Sequence, residues 1–303
     1  MARPRKTVSS KEAYPTPVNA ERSRRLRSWD EIPSWQQDNE YILSGYRQAS
    51  GSFKTCFESL GYTHNETVNI HSHVIGAAIF LIAPPYTYRA LYLRYPLATP
   101  ADVFVFSTFS YGVSTCFVLS ATYHIINNHS PKVQKFGNQL DYLGIVILMW
   151  GSTIPSIYYG FYCDPPLQKI YWANVSILAT ICIVATLHPR FRHPTIRPYR
   201  AAMYAGLGLS AVVFVVHGIL LHGWTAQNRR MSVDWMGLMA LFNLTGAVIY
   251  AARVPEKWRP LKYDIYGSSH QVLHVAVVLA GLAHMFGLFR AFDHLHTHGS
   301  VCA

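Results

Sequence analysis

Charged side chains are scarce in this sequence. Asp, Glu, Lys and Arg supply 14% of its 303 residues, against about a quarter in an average soluble domain. The shortage is concentrated. Residues 170–187 and 201–221 carry no Asp, Glu, Arg or Lys at all, and each approaches the ~20 residues that cross a bilayer as a helix. The first sixty residues lack an apolar core and are polar and basic, so no cleaved leader is expected there. The five cysteines include no CxxC pair, which removes zinc-ribbon and thiol-redox motifs. The apolar blocks are continuous rather than alternating, which argues for helices and against a membrane barrel.

What the chain does have is apolar residues in long blocks. Half of it is hydrophobic, and similar blocks cover residues 68–91, 102–126, 143–161, 235–252 and 270–289. With the two uncharged stretches these make seven candidate spans. The prediction is an all-α, multi-pass membrane protein, a seven-helix transmembrane bundle. The net charge of +11 raises nucleic acid as a partner, but its distribution points to membrane orientation instead. With the N-terminus in the cytosol, twenty of the 26 basic residues fall on the cytosolic side. Discounting the long tail, the loops still divide ten against six, which sets a cytosolic N-terminus and an outward C-terminus. Cys163 and Cys302 would then share the outward side, compatible with a disulfide.

Four regions follow. Residues 1–31 read as a disordered basic cytosolic tail, whose run from Arg22 to Arg27 is suited to anionic lipid. Residues 32–66 gain Trp, Tyr, Ile and Leu and read as an ordered pre-membrane segment. It ends in a short helix marked by the spacing of Phe53, Cys56, Phe57 and Leu60. Residues 67–290 hold the spans, with kinks expected at Pro84, Pro85 and Pro155. Residues 291–303 form an outward tail carrying His294, His296 and His298, read as mobile.

His270 and His274 sit four residues apart in the last block, on one helix face, close enough to hold one metal ion. A pair of buried, hydrogen-bonded histidines is an equal reading of that spacing. The topology adds weight to the metal. Even-numbered spans end, and odd-numbered spans begin, on the cytosolic side. That places His124, Asp141, His270 and His274 at one depth, with Glu66, Asn69 and His73 from the first span. Three imidazoles suit zinc with a fourth position open to water. Asp141 and Ser120, the latter one turn before His124, are the candidates to hydrogen-bond that water, with Asp141 as general base. Glu66, Asn69 and His73 could tie the first helix to the site or stand behind its ligands, but structural polar packing is the expected role.

Several motifs in order carry a resemblance. They are Ser120-xxx-His124, Leu140-Asp141-Tyr142-x-Gly144, Ser269-His270-xxx-His274 and Glu66-xx-Asn69-xxx-His73, preceded by Ile32-Pro33-x-Trp35, Asp38-Asn39-Glu40-Tyr41-Ile42 and Gly45-Tyr46-Arg47. Together they resemble the progestin and adipoQ receptor family, with its adiponectin receptors, fungal zinc-homeostasis proteins and haemolysin III proteins. The match covers residues 32 to 290. It implies seven helices with a cytosolic N-terminus, zinc on His124, His270 and His274, and Ser120 and Asp141 about a bound water. It also implies ceramide hydrolysis, with release of sphingoid base and fatty acid, and a link to zinc and lipid homeostasis.

Three functions follow as expectations. The first is a zinc-dependent lipid amidase acting on a ceramide-like lipid that enters from the bilayer. The second is a receptor or sensor with structural zinc. The third, a metal transporter or pore, is weakest, because no histidine or carboxylate ladder is expected in the outer half of the spans. No nucleic-acid partner is expected, and nothing identifies a protein partner.

Overall fold

A computed structural model describes residues 25–90, 92–189, 196–297 and 302. Within them lie seven helices long and apolar enough to cross a membrane. We number these α1 (Thr67–Ala90), α2 (Pro100–Ile126), α3 (Pro131–Gly160), α4 (Pro165–Leu187), α5 (Arg197–Met231), α6 (Val233–Ala252) and α7 (Ser269–Thr297). A short helix, Phe53–Glu58, precedes them. No strand occurs among the described residues, only an isolated bridge between Arg27 and Tyr46.

Proline sets the starts. Pro100, Pro131, Pro165 and Pro198 each stand in the first turn of a span, where a missing N–H costs nothing and the fixed φ favours the helix. At α2, Asp102 accepts from the backbone N–H of Thr99 (2.9 Å) and from its hydroxyl (2.8 Å). The third helix begins at Pro131, twelve residues before the apolar block that announced it, so Asp141 lies well inside the helix. The helical assignment runs through Pro84, Pro85 and Pro155. The interrupted span is α5, where Gly223 takes φ +75°.

Lipid-exposed and interior faces separate cleanly. Ile75, Ile82, Val213, Leu220, Leu244 and Val248 are exposed apolar side chains on the spans, as a bilayer permits. Phe80, Phe109, Phe117, Ile157, Phe161 and Phe214 are fully buried and form the core. At one crossing a glycine is required. A Cβ on Gly144 of α3 would stand 2.9 Å from the Cα of Cys116 on α2, so a small residue lets these backbones close up. Gly144 is one turn beyond Asp141 and Cys116 one turn before Ser120, and the contact brings those two polar residues together.

The pre-membrane segment is ordered from residue 25, within the region read as a tail; residues 1–24 of that region, with the basic run up to Arg24, lie outside the described residues. Two single 3-10 turns, Trp29–Glu31 and Ser34–Gln36, fold over a small core of Ile32, Ile42 and Tyr46. The segment docks onto the α6–α7 loop, where Asp264 accepts from the Leu43 amide (3.1 Å) and the Ser44 hydroxyl (2.7 Å). At the opposite face, Cys163 and Cys302 are joined in a disulfide. Cys56, Cys116 and Cys182 are free and buried.

The last helix corrects the reading of residues 291–303 as a mobile tail. It continues to Thr297, and His296 is buried against Asp102, Nε2 to Oδ1 3.0 Å. Tyr159 donates to the same carboxylate oxygen (3.1 Å). His294 is also helical; His298 lies outside the described residues. His284 is buried in α7 as well.

Candidate metal centre

His124 stands on the last turn of α2, and His270 and His274 on the first two turns of α7. The α-helical period turns both α7 imidazoles to one side, and α2 meets them there. One ligand atom from each of the three histidines lies within 4.8 Å of the others. Their ring centroids are 5.1 Å (His124–His270), 4.7 Å (His124–His274) and 4.8 Å (His270–His274) apart.

Two of the rings are oriented from behind. The Nδ1 of His124 is 2.7 Å from Glu66 Oε2, and the Nδ1 of His274 is 3.1 Å from the backbone carbonyl of Asn69. In that arrangement Nδ1 carries the proton and donates it, leaving a lone pair on Nε2. The Nε2 of His124 is buried and has no hydrogen-bond partner among the described residues. A buried polar atom left unpaired is costly unless something supplies the missing contact. Three imidazoles that bring a nitrogen each within 4.8 Å of the others, one of them carrying such an atom, have the chemistry to hold a metal ion such as zinc.

Glu66 is itself held by three donors, His124, Asn69 Nδ2 (2.6 Å) and Asn127 Nδ2 (3.0 Å). Burial alone would raise its pKa, but His124, His270 and Arg47 outweigh burial and hold the carboxyl below the usual carboxylate range. Upstream, His64 is driven down to about 3 by burial and by the neighbouring Arg47. Its Nδ1, neutral, accepts the backbone N–H of Glu66 (3.1 Å).

Ser120 is buried and Asp141 half-buried, with the Ser120 hydroxyl within hydrogen-bonding reach of the Asp141 carboxylate and His124 nearby. All five residues named from the sequence therefore meet in one region. His73 takes a different place. Its ring stacks on His274 at 3.9 Å and on Phe117 at 4.5 Å, and neither of its nitrogens has a hydrogen-bond partner among the described residues. His217, half-buried, accepts from or donates to the Tyr171 hydroxyl at 2.6 Å.

Arg47, Asn127 and Glu256 had no role assigned from the sequence. Arg47 is 3% exposed, and it donates to the His124 carbonyl (2.6 Å), the Ile125 carbonyl (3.0 Å), Asn127 Oδ1 (2.7 Å) and the Ser59 hydroxyl (2.7 Å). The only signal was its place at the end of the Gly45-Tyr46-Arg47 motif.

Comparison with known proteins agrees with this architecture. A family model described as haemolysin-III related matches residues 62–285. The chain belongs to the haemolysin-III-related family. Across this family the chain is 37% identical over 276 residues to the ADIPOR-like receptor IZH2 of Saccharomyces cerevisiae, covering 90% of this chain and 86% of that protein. It is 37% identical over 274 residues to the adiponectin receptor protein of Drosophila melanogaster, covering 88% of this chain and 60% of that longer protein. Heptahelical transmembrane protein 3 of Arabidopsis thaliana is 31% identical over 296 residues, covering 86% of each. Haemolysin-III-related membership and the seven apolar helices together make this an integral, multi-pass membrane protein of the adiponectin-receptor-like type.

Proposed function

We propose that this protein is a zinc-dependent lipid amide hydrolase acting on ceramide or a closely related lipid. The observation that carries the reading is the buried, unpartnered Nε2 of His124 in a cluster with two further imidazoles, with a carboxylate, Asp141, near His124. A closed structural zinc site uses four protein ligands; three histidines leave a place for water. When bound there, zinc supplies Lewis acidity that can bring the pKa of water to about 7.

The chain's own residues take defined roles in this reading. His124, His270 and His274 hold the ion. Glu66 and the Asn69 carbonyl keep two of these imidazoles in the tautomer that ligates. Asp141 takes a proton from the attacking water and returns one to the leaving amine, and Ser120 orients its carboxylate. The substrate is a bilayer component, so it needs no aqueous route to a site between the spans.

The same reading places the N-terminus and the site on the cytosolic side. The basic loops favour that orientation, and so does the disulfide at the opposite face, since such bonds persist in oxidising compartments.

The test is purified protein given labelled ceramide, as wild type, Asp141→Ala and His270→Ala. Zinc-dependent release of fatty acid by the wild type alone is the expected result. Absence of release overturns the hydrolase. Stoichiometric zinc without release would favour the second reading, a receptor with structural zinc, which accords with the receptor names of the yeast and fly relatives.

A further inference from the structure

We infer that residues 38–47 act as a strap that sets the separation of the two ligand-bearing helices, with Arg47 and Asn39 as positioning residues of the metal centre. The inference rests on the reading of His124, His270 and His274 as that centre.

His124 and His270 both stand at helix ends, where order is least assured. The last four carbonyls of a helix have no partner within it. At α2 the Arg47 guanidinium supplies one, reaching the carbonyls of His124 and Ile125. A cation at a helix C-terminus also complements the helix dipole. The guanidinium presents its donors in a rigid fork, and four hydrogen bonds from one buried group leave it no freedom. A second route leads from Arg47 to the imidazole itself. Asn127 accepts from Arg47 and donates to Glu66, and Glu66 holds Nδ1 of His124.

The start of α7 is held from the other end of the same segment. Glu256, fully buried, accepts from the backbone N–H of Ser269 (2.8 Å) and from the Ser269 hydroxyl. Ser269 immediately precedes His270. The Glu256 oxygen that accepts the Ser269 hydroxyl, Oε1, also accepts from Asn39 Nδ2 (3.0 Å). Between the two ends, Gly45 takes φ +82° and lies so close to Ile265 that a Cβ would collide with it. Seven residues thus separate a group on the carbonyl of one ligand from a group on the cap beneath another. Ordinary docking of a peripheral segment does not need both ends to stop at ligand-bearing turns, and metal sites demand ligand placement to within about 0.5 Å.

The experiment measures zinc affinity by chelator competition on the purified full-length protein, as wild type, Arg47→Lys, Arg47→Ala and Asn39→Ala. Arg290→Ala, which breaks an ion pair with Asp234 at the opposite face, is the control. The ligand-field spectrum of the cobalt(II) form is recorded for each. We expect Arg47→Ala to weaken zinc by about tenfold or more, with partial recovery in Arg47→Lys. Asn39→Ala should weaken it less, and both should shift the cobalt spectrum while the control does not. Should Arg47→Ala fail to fold, Arg47→Lys and Asn39→Ala carry the test. Wild-type affinity and an unchanged spectrum in folded Arg47→Lys and Asn39→Ala overturn the strap and leave the metal centre standing. A wild type that binds no zinc overturns both.

Discussion

At the scale of single residues, the site divides into groups that ligate, groups that aim the ligands and groups that merely fill space, and substitution should separate them. Glu66→Ala removes the acceptor behind His124 Nδ1 and should cost about 10–100-fold in zinc affinity, read by chelator competition. His73→Phe keeps the ring stacked between His274 and Phe117 while discarding two unpartnered nitrogens. Replacing unsatisfied polar atoms by an apolar group of similar shape is near neutral, so zinc affinity and melting temperature should both hold. A loss of zinc in His73→Phe would make His73 a ligand. The clustering of His124, His270 and His274 was legible in the sequence because spacing and span parity are both written in it. A supporting role for Glu66 was legible only as an alternative, and its partner was not, because the bond to His124 spans 58 residues and depends on how α1 is rotated.

Elements meet where side chains allow it, and the α2–α3 crossing is the clearest instance. Gly144 lets Cys116 approach, and that contact brings Asp141 to Ser120. Gly144→Ala should force the helices apart, with a cost of about 1–3 kcal/mol visible as a lower melting temperature in detergent. If the proposed function holds, hydrolysis should fall by more than zinc binding does, because the three clustered histidines lie on α2 and α7 rather than α3. Equal losses would contradict that division. Helix existence was legible from the apolar blocks, but the start of α3 was not read. Its first turns carry Lys132, Gln134 and Lys135 and extend beyond the apolar block, so hydropathy alone cut the helix short. The Ser130-Pro131 pair held the missing signal. At the other end, His294 and His296 read as polar tail residues until Asp102, 194 residues away in sequence, supplied a buried partner for His296.

For the molecule as a whole, the metal should act as a fastener between two distant parts of the chain. A ligand present at 100 times its Kd stabilises the folded state by about 2.7 kcal/mol. Chelation should therefore lower the melting temperature of the wild type and leave the doubly substituted His124→Ala, His270→Ala protein unaffected. A shift of equal size in both proteins would place the metal elsewhere. The global outline, seven spans with polar groups gathered near one face, followed from apolar run length and order. The docking of the N-terminal segment did not, because Asn39 and Glu256 stand 217 residues apart and neither belongs to a periodic pattern.

The bond between Cys163 and Cys302 has a topological consequence. The sequence between them, 139 residues in extent and including α4, α5, α6 and α7, is a closed covalent ring hanging from a linear chain that contains α1, α2 and α3. The backbone can be severed once anywhere in that ring without producing two molecules. Two of the three imidazoles lie on the ring and the third on the linear part, so a metal ion among them would lock the loop to its stem. A protease site engineered into the α6–α7 loop should, after cutting, give one band without reductant and two with it.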